Sequence, residues 1–109
     1  MEEIQKMQEL NTYLTTALAE YKKRGTDYAK AYKNYRVLLS QELLKLKAEG
    51  MPVTICNDLA RGKKEVAEAK EQEIITECLY KSCQEAILTY KLQIKILQNQ
   101  IDKEYNYGE

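Results

Sequence analysis

Histidine is absent from this chain, so the residues that could do chemistry are carboxylates, tyrosines, cations and three cysteines. Lack of histidine removes the commonest general base, the Ser–His and Cys–His nucleophile pairs and most zinc sites. The Glu-x-x-His pairs of di-iron helical bundles go with it. Neither a GxxxxGKS/T nor a GxGxxG loop is present to cradle a phosphate. Glu65, Glu68, Glu71, Glu73 and Glu77 form the densest carboxylate run. Acid–base work needs two carboxylates whose environments push their proton affinities apart. Nothing in this spacing selects such a pair, and the run reads as a solvated helix face. The expectation is a protein that is not an enzyme and carries no metal or cofactor.

Aromatic usage is unusual: nine tyrosines, with no phenylalanine or tryptophan. Residues 21–36 hold six cations and one acid, interleaved with Tyr21, Tyr28, Tyr32 and Tyr35. Cations that meet phosphate beside rings that stack on bases would suit single-stranded nucleic acid or a nucleotide. That reading selects Lys22, Arg24, Tyr28 and Arg36. The competing reading places tyrosines at helical spacing in a core, with hydroxyls at the rim and lysines in solvent.

A second candidate lies in GMPVTICNDLARG, residues 50–62, where Thr54, Asp58 and Arg61, followed by Lys63, crowd a short turn. Such a polar tip can grip a partner loop or an anion. In the alternative, Asn57 and Asp58 satisfy backbone groups and Arg61 pairs with Asp58. Val53, Ile55 and Leu59 are expected to pack this tip against the long helices.

The elements that must position these residues follow from punctuation. Pro52 is the only proline, flanked by Gly50 and Gly62. Gly50 suits a left-handed helix cap and Pro52 forbids continuation. The prediction is all-α: a long antiparallel helical hairpin, coiled-coil-like and oligomeric, forming one domain over 1–109. Its first helix covers about 2–49, the tip 50–62 and the second long helix about 63–105. Within the tip, Thr54 can cap a short helix that runs to about Ala60 and stops at Gly62. The tail, 106–109, reads as frayed.

The first helix shows an apolar stripe through Ile4, Met7, Leu10, Leu14, Leu18, Tyr21, Tyr28, Tyr32, Tyr35, Leu39, Leu43 and Leu46. Gly25 falls inside it, where a kink or a continuous helix is expected over a break capped by Thr26 or Asp27, with close approach of a partner helix as a third option. The second helix carries Val66, Ala69, Ile75, Leu79, Cys83, Ile87, Tyr90, Ile94, Leu97, Ile101 and Tyr105. A separate line, Leu88, Leu92 and Ile96, lies about 100° round that helix. One hairpin partner cannot cover both lines, so the second is either a broad core face or a self-association surface. A fold-back near residue 56 sets 21–36 opposite about 76–91. The acidic run would then miss the basic stretch within one chain and meet it only between copies.

Lys+Arg and Asp+Glu balance at 17 each, for zero net charge. That argues against a protein that coats nucleic acid. A basic leader followed by an apolar run is not seen, and no stretch approaches the 18 apolar residues of a membrane span. Three cysteines without CxxC spacing fit a reducing cytoplasm.

The segments YRVLLSQELLKLKAEGMPVTICNDLARG, VAEAK and LYKSCQEAILTYKLQIKILQNQIDKEY, within Tyr35 to Glu104, resemble a group of uncharacterised short helical proteins. These come from early regions of phages and prophages of Gram-positive bacteria. The most specific part is EGMPVTICNDLARG, residues 49–62. The resemblance implies a phage origin and the host-cell cytoplasm, and it carries over no catalytic residue. The expected function is therefore that of a non-enzymatic accessory protein that binds a host protein or defence component as a homo-oligomer, with no membrane role. The alternatives are a recombination or replication accessory on single-stranded DNA, an oligomeric sponge for a nucleotide signal, and a virion component.

Overall fold

The computed structural model describes residues 2–107. It is all-helical: α1 spans Glu2–Ala48, α2 Val53–Gly62 and α3 Lys64–Tyr107, and among the described residues there is no strand. α1 runs through Gly25 without a break, so neither Thr26 nor Asp27 begins a new helix. α3 continues through Asn106 and Tyr107, and the rest of the tail predicted to fray, Gly108 and Glu109, lies outside the described residues. None of these helices is long and apolar enough to cross a membrane.

The end of α1 follows from glycine's freedom. Gly50 sits at φ +83°, where a side chain would be strained. Its N–H donates to the Lys47 carbonyl at 3.1 Å, and the Met51 N–H to that of Leu46 at 3.1 Å. This pair of bonds satisfies two otherwise orphaned carbonyls of the last turn. α2 starts without a side-chain cap: Pro52 takes the cap position, and its carbonyl accepts from the Ile55 and Cys56 amides at 3.2 Å each. Thr54 is therefore not the cap but lies inside the first turn. Lys63 adopts an extended conformation and separates α2 from α3. Its N–H donates to Ala60 O at 3.3 Å, and its carbonyl accepts from Ala67 at 2.8 Å.

The chain divides into two compact units, Met1–Lys23 with Tyr80–Glu109 and Arg24–Leu79. In the first, Leu10, Ile87 and Leu97 are buried. Each such side chain contributes about 1.5–3 kcal/mol of apolar burial. Around them Met7, Leu14, Ala17 and Tyr21 of α1, and Tyr80, Cys83, Tyr90, Ile94 and Ile101 of α3, are half-buried. The covered positions advance in alternating steps of three and four, the 3.5-residue repeat of a helix pair. That repeat corrects the predicted stripe: Ile4, Leu18, Leu79 and Tyr105 are exposed, and Ala17 takes the place assigned to Leu18. Tyrosines mark the pairing. Tyr13 and Tyr90 rings lie 5.8 Å apart, and Tyr21 stacks on Tyr80 at 4.8 Å and 23°.

In the second unit, Tyr35, Leu39 and Leu46 of α1, Cys56 and Ala60 of α2, and Val66 and Ala69 of α3 make one cluster, with Leu38 and Leu43 against it. Tyr32 and Ile75, expected on the seams, are exposed. On α3 the repeat instead places Glu73 and Thr76 inward. Glu73 thus departs from the expected solvated face: it is buried, and Lys70 Nζ reaches its carboxylate at 3.2 Å while lying 4.8 Å above the Tyr35 ring centroid. A buried carboxylate needs such a partner. Lys70 over Tyr35 also shows that the later half of the basic stretch lies beside the acidic run within one chain. α2 shifts the pairing from what a simple fold-back near residue 56 gives.

Candidate functional site

α2 is amphipathic in an inverted sense. It buries its two small apolar side chains, Cys56 at 1% exposure and Ala60 at 0%. It turns its three large ones outward: Val53 at 72%, Ile55 at 44% and Leu59 at 44%. The expectation that these three pack the tip inward is overturned. The physical reason is spacing: α2 lies close to the core, and only small side chains fit between the backbones.

Polar tip residues flank this apolar surface. Thr54, Asp58 and Arg61 are exposed. Among the described residues no ion pair joins Asp58 to Arg61. Lys63 has a different job. It is half-buried, and its Nζ donates to Glu42 Oε2 at 3.0 Å, tying the α2–α3 junction to α1. The Glu42 hydrogen bond holds the Lys63 ammonium above the usual lysine value, against a smaller opposing effect of burial.

Arg61 also meets a residue from the other sequence-derived candidate. A groove of about 530 Å³ in the second unit is lined by Arg36, Val37, Leu43 and Leu44 of α1 and by Asn57 and Arg61 of α2, among others. No carboxylate lines it. Leu44 and Val37 are exposed, and among the described residues neither guanidinium has an ion-pair partner. The groove therefore offers apolar contact between two cations. Sequence reasoning found both arginines but assigned them to separate sites, and it missed Val37 and Leu44. Counting the 3.5-residue repeat places both leucine and valine on the outer side of α1.

The basic, aromatic face is less available than its composition implies. Tyr35 is buried beneath Lys70, and Tyr28 meets Tyr32 edge-on at 6.5 Å and 73°. Tyr28 and Arg24 are half-buried, and Lys22, which belongs to the first unit, is exposed. In that unit the Tyr21 hydroxyl lies 2.8 Å from that of Tyr80, and Gln84 Nε2 donates to Tyr21 at 3.2 Å. Hydrogen bonds from Tyr80 and then Gln84 lower the Tyr21 pKa, and the bond to Tyr21 raises that of Tyr80. Both directions agree with Tyr80 donating to Tyr21. Tyr21 and Tyr35 thus each have a ring face occupied by another side chain, while Tyr32 stays exposed.

Leu88, Leu92 and Ile96 lie in the first unit at 60%, 58% and 49% exposure. The three cysteines are free: Cys56 buried, Cys83 half-buried and Cys78 exposed. Among the described residues no cluster of His, Cys, Asp or Glu is arranged to hold a metal ion. Compared with known proteins, the chain matches no protein-family model, no curated protein and no solved structure.

Proposed function

We propose that the chain is a non-enzymatic, phage-type accessory protein of the host cytoplasm that binds a host protein or defence component through the α2 tip. In this reading it works as an antiparallel helical hairpin in oligomeric form. The inversion of α2 carries the proposal. An isolated monomer gains nothing from placing Val53, Ile55 and Leu59 in water, whereas a partner's apolar surface would cover them. Asp58 and Arg61 at the edge supply the charged rim that fixes orientation. The order of contacts in the first unit supports an antiparallel pair, because Tyr13 meets Tyr90 while Tyr21 meets Tyr80. The exposed line of Leu88, Leu92 and Ile96 supports self-association.

The test is capture from host lysate by wild type and by Val53→Asp with Leu59→Asp. A single protein should be retained by wild type, bind again when purified, and be lost at least about tenfold by the variant while helical content by circular dichroism stays unchanged. Equal retention by the variant would remove the tip from the mechanism. Single-stranded oligonucleotide binding that falls steeply with salt, and disappears in Lys22→Glu with Arg24→Glu, would replace this reading with a recombination or replication accessory.

A further inference from the structure

We infer that the groove between Arg36 and Arg61 receives the outer face of α3 from a second copy of this chain, giving a head-to-tail contact between the second units. The inference deepens the oligomeric part of the proposed function and rests on it.

The groove is apolar, cationic and free of carboxylates, so its occupant must bring apolar side chains beside acids. α3 carries that combination. Glu68, Glu71, Ile75 and Cys78 follow in steps of three, four and three, so they share one face, with Ile74 beside Ile75. All five are exposed, and among the described residues neither Glu68 nor Glu71 has an ion-pair partner. The same helix turns Val66, Ala69 and Glu73 inward, which points this face away from the core. Glu68 and Glu71 do not line the groove of their own chain, whose residues come from α1 and α2. An acidic, apolar face on α3 that complements a cationic, apolar groove between α1 and α2 can fill it from a second copy. Such a contact is heterologous: it repeats until a ring closes or continues as an open array. Its charges set register and encounter rate, and Ile74, Ile75, Val37 and Leu44, exposed in the single chain, supply the apolar contact.

Cys78 provides a native probe. Gln41 lines the groove, so Gln41→Cys with Cys78→Ser places a thiol in the groove of one copy and leaves none on its α3 face. Mixed with wild type and treated with a short bismaleimide, it should give a linked 1:1 pair that involves wild-type Cys78. The yield should fall at least about fivefold when Arg36→Glu with Leu44→Asp is added to the groove copy, and should also fall at high salt. Arg36→Lys should retain it. Absence of the 1:1 product, or a yield indifferent to the groove substitutions, would overturn the inference. Val53→Asp with Leu59→Asp should keep the crosslink while losing the host partner. Crosslinking without capture, or capture without crosslinking, therefore tells which of the two surfaces fails.

Discussion

The two units are built from the same pair of long helices, yet they solve burial differently. In the first unit each helix has one neighbour, and the covered positions are a narrow line: Leu10, Ile87 and Leu97 buried, tyrosines stacked beside them. In the second unit α2 adds a third element. Tyr35, Leu39, Leu46, Cys56, Ala60, Val66 and Ala69 then form a cluster that encloses side chains from several directions. The difference teaches where the chain's exposed apolar surface arises. A third helix lets a core close with small residues at the tight contact, and it forces the larger residues of that helix outward. The pairing in the first unit has no such excess at a tip, but it leaves a continuous apolar line uncovered.

The largest test of this contrast is a matched pair of core truncations. Leu46→Ala in the second unit should cost about 2–5 kcal/mol, because three elements fix the cavity walls and limit collapse. Leu10→Ala, with water on both sides of a single seam, should fall at or below about 2 kcal/mol, since the pair can relax around it. Urea denaturation of the two variants measures the difference. Equal losses would mean that α2 does not stiffen its surroundings.

A smaller effect sharpens the account of the first unit. Tyr80→Phe keeps the ring stack and removes the hydroxyl that lies 2.8 Å from that of Tyr21. The Tyr21 pKa should rise toward that of free tyrosine, read by ultraviolet titration, with Gln84 retaining part of the depression. The urea midpoint should fall by less than for Leu10→Ala. An unmoved Tyr21 titration would remove the hydroxyl pair from the description of this seam.

The smallest effect lies at the far end of the same unit. Glu104 has its pKa raised, first by a hydrogen bond with Glu3 and then by that residue's charge. A folded-state pKa above the unfolded one gives stability that is complete below the unfolded value and fades as pH rises through the raised one. The pairing of the α1 start with the α3 end should therefore tighten on mild acidification. Hydrogen exchange of amides near Glu104 should slow as pH falls through the carboxylate range, once corrected for the intrinsic rate. Glu104→Gln should flatten the dependence, and an unchanged profile would show that the two carboxyls do not share a proton.

Much of the architecture was legible in residue types. Gly50 and Pro52, the only proline, dictate where α1 stops, because a proline cannot continue a helix and glycine alone tolerates φ +83° cheaply. Membership of the seam was less legible. Leu18 and Tyr32 looked inward because they are apolar, and Ala17, Arg24, Glu73 and Thr76 looked outward because they are small or polar. The 3.5-residue repeat, not side-chain type, decided each case.

The sequence by itself determined the helices, where α1 must end, and the surplus of apolar residues over what one neighbour can cover. Only tertiary structure decided which residues that surplus comprises. Arg36 and Arg61 lie on different helices and meet across one groove because α2 packs back on α1 through Cys56 and Ala60. The outward turn of Val53, Ile55 and Leu59 has the same cause. Local propensity fixes a helix and its period, but the rotation of a helix about its axis is set by which side chains fit between packed backbones.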